Sequence, residues 1–388
     1  MRVAFFTECY HPIVNGIVAS VDALADGLRA RAHEVFCFAP RAPGYDEAIG
    51  PVFRMPSLPL PRSAPYRLTL PLVSRRNRDG IIKHVDVIHA HSPFVTGWMA
   101  LRYARRYGIP FVYTYHTQLE QYAHYVPFDA GATKRVATTL TRTFANAADA
   151  VIVPTLSMRE RLQSVGVRTR IDVAPSAIDL GRFGAGARND ALRATLGVRS
   201  GEKMLLFVSR LGREKNAGLL LHALAQCPDQ RLKLVIAGEG PERQALHRLA
   251  HALQAGDRVA FLGAVERERL PDLYASADAF VFPSVSETQG LVLAEAMAAG
   301  ALVIAADAPQ NREVLHGAGR IVAAEPAAFA AAFGAVPAAP DPSLRERAKR
   351  SAARFGIEVQ AAHVLAVYAG VRPADEANVR LTRTYVRS

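Results

Sequence analysis

Ala279-Phe280-Val281-Phe282-Pro283-Ser284-Val285-Ser286-Glu287-Thr288-Gln289-Gly290-Leu291-Val292-Leu293-Ala294-Glu295-Ala296-Met297-Ala298-Ala299-Gly300 reads as strand, turn and helix in succession. Residues 279–282 form an unbroken apolar run of the kind found in strands covered on both faces. The apolar helix runs from about Leu291 to Ala299 and ends at Gly300, a residue suited to a helix C-terminus. Glu287 then lies in the turn at the strand's carboxyl end, where open α/β sheets bind ligands. Glu295 follows two helical turns later, so both carboxylates can face one cleft.

A single Glu at a helix start is explained by its favourable charge there. The pair around Gly290 asks for more. The helix N-terminus offers free N–H groups to an anion, and Gly290 removes side-chain bulk beside them. Carboxylates with an anion-binding helix start suit a ligand carrying hydroxyls and phosphates, such as a nucleotide sugar. Paired carboxylates also serve as general acid and base in hydrolases, and the choice depends on what else shares the cleft.

The same alternation continues in both directions. Candidate strands are 3–7, 34–39, 85–90, 111–116, 150–154, 171–174, 204–209, 232–237, 259–262, 279–282, 301–305 and 319–323. Helical patterns cover 17–31, 94–107, 134–147, 216–226, 241–254, 267–276 and 291–299. Apolar strands separated by helices predict an α/β fold with parallel sheets. So many strands exceed one comfortable open sheet, so two doubly wound, Rossmann-like domains facing a central cleft are expected. The break is placed in the glycine-interrupted polar stretch Asp179–Ser200. This gives an N-terminal domain 1–180 and a C-terminal domain 181–356. Helical patterns at 343–354 and 357–370 precede an Arg-rich tail (Arg380, Arg383, Arg387), and the segment 357–388 is expected to pack back on the first domain. No element is assigned to the Ala/Pro-rich stretch 323–340.

The 388 residues suffice for two cores, and 50% hydrophobic with 21% charged residues is ordinary for a soluble α/β protein. No apolar run approaches the roughly 20 residues of a membrane span. Met1-Arg2-Val3-Ala4-Phe5-Phe6-Thr7-Glu8 turns acidic too soon for a signal peptide and reads as a first strand. Cys9, Cys37 and Cys227 are scattered, without metal-ligand spacing, so reduced thiols in the cytoplasm are expected.

The net charge is +12 and unevenly spread. Between 62 and 109, Arg62, Arg67, Arg75, Arg76, Arg78, Lys83, Arg102, Arg105 and Arg106 face only Asp79 and Asp86. Leu58, Leu60, Leu68, Leu70, Leu72 and Val73 accompany them among prolines. Basic groups beside loop-borne aliphatics suit an anionic membrane surface, with residues 58–83 as the contact. A merely solvated basic face is the alternative. Nucleic acid is not expected as a partner, because no helix-turn-helix, RNP-like or aromatic-basic stacking pattern occurs.

Other residues converge on the expected cleft. Asn15 and Gly16 lie between the first strand and a helix starting near Ile17, a phosphate-approach loop if not an ordinary turn. Arg210 and Lys215 fall just after the strand 204–209, where a guanidinium and an ammonium can neutralise a diphosphate. An ion pair with Glu214 is the competing use of these cations. Gly238-Glu239-Gly240 forms a strand-to-helix turn that is not G-x-G-x-x-G. The run Tyr113-Thr114-Tyr115-His116-Thr117 ends a strand with the His116 imidazole at the cleft, and His89 and His91 end the preceding strand. A metal reading of His89 and His91 lacks a matching ligand set, and His116 suits donation to a sugar hydroxyl or phosphate. No Asp-x-Asp motif occurs, so no metal and no resident cofactor are expected; Arg210, Lys215 and helix N-termini would carry the diphosphate charge.

With these residues the chain resembles glycosyltransferase family 4, and the resemblance covers nearly its whole length. It implies the two-domain GT-B fold and retaining transfer from a UDP- or GDP-hexose. It also implies that Gly16, Arg210 and Lys215 contact the donor diphosphate, that Glu287 lies near the donor sugar, and that Glu295 binds the ribose. Asn15, Gly238, Glu239, Thr288, Gln289, Gly290 and Leu291 complete the implied donor site, and His116 matches an acceptor-side histidine. Together with Tyr66-Arg67-Leu68-Thr69-Leu70-Pro71, the 113–117 and 286–291 stretches look like the subgroup of diacylglycerol glucosyltransferases and lipid mannosyltransferases. Ala177 stands where that family usually has a loop glycine. The expected reaction moves a hexose to a membrane-lipid hydroxyl at the cytoplasmic face. Competing expectations are a soluble or polyprenyl-linked acceptor, an epimerase or phosphorylase on the same architecture, and a catalytically silent binding subunit.

Overall fold

A computed structural model describes residues 1–45, 51–60, 66–125, 129–337 and 341–372. Arg62 and the tail residues Arg380, Arg383 and Arg387 lie outside the described residues. The chain forms two compact units. The first joins Met1–Ala177 to the segment beginning at Ile357, and the second is Ile178–Gly356.

The first unit contains β1 (Arg2–Phe6), β2 (Glu34–Pro40), β3 (Val52–Met55), β4 (Ser57–Pro59), β5 (Arg67–Thr69), β6 (Val87–Ala90), β7 (Phe111–Thr114), β8 (Ala150–Val153) and β9 (Ile171–Val173). Seven of these build one parallel sheet in the order β3-β2-β1-β6-β7-β8-β9, while β4 and β5 form an antiparallel hairpin. Along β1, Ala4 and Phe6 enter one core while Val3 and Phe5 enter the other, the two-residue period of a strand covered on both faces. The helix Ile357–Val371 contributes Val364, Val367 and Tyr368 to the core with β1, so it packs back on this unit.

The second unit contains β10 (Lys203–Val208), β11 (Leu232–Ala237), β12 (Val259–Gly263), β13 (Ala279–Phe282), β14 (Val303–Ala306) and β15 (Arg320–Val322), all parallel, in the order β12-β11-β10-β13-β14-β15. Met204 and Leu206 face one core, Leu205 and Phe207 the other. Both sheets are doubly wound, and the fold is GT-B.

All twelve expected strands form. Three short ones were not expected: β3 and the hairpin β4–β5, which give the leucine-bearing stretch an ordered scaffold. The polar stretch 179–200 is more than a break, for it holds the helices Leu180–Gly184 and Asp190–Thr195. Phe183 is fully buried, and Arg193 reaches Asp278 at 2.9 Å and the Ser276 carbonyl at 2.7 Å. The second unit accordingly already begins at Ile178, whose N–H bonds the Phe355 carbonyl at 2.9 Å. Within the Ala/Pro-rich stretch a further helix, Pro326–Gly334, buries Phe329 and Phe333.

Candidate functional site

In the second unit, β10 and β13 are the central neighbours from which strand order runs outward in both directions, so their carboxyl-end loops meet at the topological switch point. Residues 209–216 leave β10 and residues 283–290 leave β13. Lys215 Nζ lies 2.6 Å from Glu287 Oε1. Ser284 donates to the same oxygen at 2.9 Å, and Ser286 donates to the Glu214 carbonyl at 3.2 Å. Arg210 Nη2 lies 2.6 Å from Glu214 Oε1; the Glu214 side chain is 3% exposed and that of Arg210 43%. The competing use of Arg210 is therefore realised, and it does not remove the cation. A buried carboxylate holds the guanidinium at the strand end with its outer part in solvent.

Gly290 stands at φ +84°, left-handed, and is the N-cap of the helix Leu291–Ala298, where it brings no side chain to the helix start. Thr288 and the buried Gln289 complete the turn, and Leu291 is half-buried at the first helical position. Glu295 has a different setting. It is buried inside the helix and accepts a hydrogen bond from Tyr274 Oη at 2.9 Å. Burial raises its pKa, opposed by the Arg267 guanidinium and by the Tyr274 hydrogen bond. Glu287 and Glu295 thus have separate anchors.

Gly238 and Glu239 brace this site from β11. At Gly238, φ is +142° and a Cβ would stand 1.8 Å from the Ser209 carbonyl oxygen. Leu211 N–H in turn bonds the Glu239 carbonyl at 2.8 Å. The Glu239 carboxylate pairs with Arg243 at the surface. The 209–211 backbone therefore rests directly on this turn. Gln310 and Asn311 similarly donate to the Val285 and Ser284 carbonyls at 2.8 and 2.9 Å. Ser284, Tyr274, Gln310 and Asn311 all escaped the sequence reading, and a lone polar residue carries no spacing signal to find it.

In the first unit, the switch point falls between β1 and β6. Asn15 is the N-cap of the helix Gly16–Arg29, accepting from Val18 N at 2.9 Å, so it fixes where that N-terminus begins. Glu8 spans two elements, accepting from Thr69 Oγ1 at 2.6 Å and from Thr96 N at 2.9 Å. His11 Nε2 lies 2.7 Å from Asp22 Oδ2. His116 Nε2 lies 3.0 Å from His91 Nδ1. Burial lowers the His116 pKa to about 4 and that of His89 to about 3. Among the described residues, no group of three or more His, Cys, Asp or Glu side chains is placed to hold a metal ion.

The hairpin leaves Leu58, Leu60, Tyr66, Leu68 and Leu72 exposed. Beside it lies a cavity of about 340 Å³ lined by Phe38, Phe53, Met55, Pro56, Leu72 and Val73, with Arg54, Ser74 and Asn77 as its polar members. Arg67 is turned back onto Ser57 at 2.8 Å. Among the described residues, no helix is long and apolar enough to cross a membrane.

Comparison with known proteins covers both units. Residues 14–182 match the model described as Glycosyltransferase Family 4, and residues 188–355 match Glycosyl transferases group 1. The alpha-monoglucosyldiacylglycerol synthase of Streptococcus pneumoniae is 33% identical over 312 residues, 79% of this chain and 71% of that protein. A GDP-mannose-dependent alpha-mannosyltransferase of Mycolicibacterium smegmatis is 33% identical over 324 residues, 81% of this chain and 82% of that protein. Among solved structures, Anabaena HepE in complex with UDP aligns with a TM-score of 0.72 at 22% identity, covering 95% of this chain and 100% of the other. Sucrose-phosphate synthase from Thermosynechococcus elongatus aligns with a TM-score of 0.76 at 22% identity, covering 95% and 98%. The chain is an enzyme of the glycosyltransferase class and belongs to the family 4 glycosyltransferases.

Proposed function

We propose that this glycosyltransferase moves a hexose from a UDP- or GDP-sugar to a hydroxyl of a membrane lipid, with retained anomeric configuration and without a metal ion. The observation that carries the donor side is the Lys215–Glu287 pair beside Arg210 and the helix start at Gly290. In the reaction, the bond from the anomeric carbon to the donor phosphate oxygen breaks while the acceptor oxygen bonds to that carbon. The acceptor proton passes to the departing phosphate on the same face. Arg210, Lys215 and the helix N–H groups oppose the negative charge that accumulates on the diphosphate. Glu287 holds sugar hydroxyls, and Glu295, steadied by Tyr274, receives a ribose hydroxyl. His116 lies on the acceptor side, and Gly16, whose helix N-terminus Asn15 fixes, contacts the donor diphosphate.

A lipid acceptor is supported by the name of the similar Streptococcus pneumoniae protein, an alpha-monoglucosyldiacylglycerol synthase, and by the surface of the first unit. Exposed leucines on an ordered hairpin, an apolar cavity beside them and nearby Arg76 and Lys83 suit peripheral attachment to an anionic bilayer.

Thermal shift against UDP-glucose, UDP-N-acetylglucosamine, UDP-galactose and GDP-mannose tests the donor. One should stabilise the protein beyond the others, because a ligand selective for the folded state raises apparent stability by mass action. Labelled hexose transfer to dioleoylglycerol in phosphatidylglycerol vesicles, with and without EDTA, tests the rest. Transfer only to a water-soluble acceptor would overturn the lipid assignment, and loss with EDTA the metal-free one.

A further inference from the structure

His89, His91 and His116 sit on or just beyond the neighbouring strands β6 and β7, and they form one chain of side chains. His89 is completely buried, with Nδ1 2.7 Å from Tyr368 Oη and Nε2 2.6 Å from Thr114 Oγ1. Both of its nitrogens are occupied, so the ring cannot turn. The His91 ring lies 4.3 Å from it, centroid to centroid, with Phe5 edge-to-face at 4.7 Å. His91 Nδ1 meets His116 Nε2 at 3.0 Å, and the two rings stack at 5.3 Å. His91 Nε2 is buried without a hydrogen-bond partner, so Nδ1 makes its one side-chain hydrogen bond.

Burial disfavours the imidazolium at all three positions. Between two neutral imidazoles, one nitrogen must carry the hydrogen and the other must offer its lone pair. The tautomers of His91 and His116 are therefore coupled. A flipped His116 ring would lose this bond inside a low-dielectric site, where an unmade hydrogen bond is costly.

We propose that His91 is a positioning residue that holds His116 in one orientation and one tautomer, so that the acceptor meets a single defined arrangement of the His116 ring. This rests on the reading of His116 as an acceptor-side group. Thr114 and Tyr368 fix His89, whose ring packs with Phe5 against His91, so the support of His116 extends to the helix Ile357–Val371.

The experiment compares full-length wild type, His91→Leu, His91→Asn and His116→Ala. The readouts are long-range ¹H–¹⁵N correlation of the histidine side chains and turnover from UDP-glucose to dioleoylglycerol in phosphatidylglycerol vesicles. The wild-type His116 should show one protonated and one bare nitrogen. His91→Leu should average the two and lower kcat about 10- to 100-fold, the range seen when a metal-bound histidine loses its orienting partner, with the donor KM unchanged. His91→Asn, whose amide stands near the Nδ1 position, should restore the single tautomer and most of kcat. Averaged nitrogens in wild-type His116 would overturn the proposal even if no variant folds. So would His91→Asn behaving like His91→Leu, because packing would then explain the loss. Full turnover in His116→Ala would instead sink the acceptor-side reading, and the nitrogen pattern would still decide whether His91 orients His116.

Discussion

Lys215 Nζ and Glu287 Oε1 stand 2.6 Å apart across two loops separated by more than seventy residues of chain. The carboxylate thus positions the ammonium before any donor arrives, and a diphosphate must share or take over that cation. Lys215→Ala removes a preorganised positive charge and is expected to lower kcat about 10²- to 10³-fold, roughly 3–4 kcal/mol in the transition state. Arg210→Ala should act in the same direction. Steady-state kinetics decide this, and near-normal turnover in either variant would take that residue out of the mechanism.

Glu295 binds its proton more tightly in the folded chain than in the unfolded one, because burial dominates its surroundings. Between the ordinary glutamate value of about 4.3 and the raised folded value, the folded state holds more protons, so stability falls as pH rises through that window. Glu295→Gln abolishes this penalty while keeping an acceptor for Tyr274. At neutral pH the variant should melt at or above wild type, yet bind UDP or GDP more weakly by calorimetry. A lower melting temperature at pH 7.5 would contradict the assignment of burial as the main cost.

The buried histidines act with the opposite sign. Unfolded imidazoles protonate near pH 6.5, whereas His89 and His116 take protons only at about 3 and about 4. The unfolded chain holds more protons between those values, so stability is lost as pH falls from about 6.5 towards 4. Thermal melts at pH 7 and pH 5 should show this drop, and His89→Asn should flatten it while lowering the melting temperature at pH 7.

Gly238→Ala should destabilise the second unit by about 2–5 kcal/mol. The strain of φ +142° and a Cβ 1.8 Å from the Ser209 oxygen act together. Denaturant titration measures the loss, and an unchanged midpoint would show that the 209–211 loop yields freely.

Leu58 and Leu68 are register partners on the hairpin, and both are exposed. Replacing both with Ser should weaken binding to phosphatidylglycerol vesicles by about 1.5 kcal/mol per leucine, roughly tenfold each in partition coefficient. Vesicle sedimentation reads this, with donor thermal shift as the control that should not change. Equal sedimentation would locate the membrane contact elsewhere.

What could be read from the sequence depended on the length of the pattern. The run 279–282 with the turn at Gly290 was legible because a strand buried on both faces must be apolar throughout, and the helix after it equally so. Residues 52–55 carry only one fully buried side chain, Met55, so β3 gave no comparable signal. Alanine-rich composition hid the helix Pro326–Gly334, since alanine marks neither a face nor a boundary. At the site, Arg210, Lys215 and Glu287 stood out as charges at strand ends. Tyr274 and Ser284 did not, because their importance comes from partners brought close only by folding.

The helix Ile357–Val371 has a further consequence for how the molecule comes into being. During synthesis, residues 178–356 emerge as an uninterrupted stretch able to collapse on its own. The earlier residues 1–177 must wait for Tyr368 and Val364 to close their apolar floor. Vectorial folding would ordinarily favour whatever leaves the ribosome first. Here the earlier-made unit lacks part of its apolar floor until residues 357–371 are delivered, after the whole of the later-made one has been synthesised.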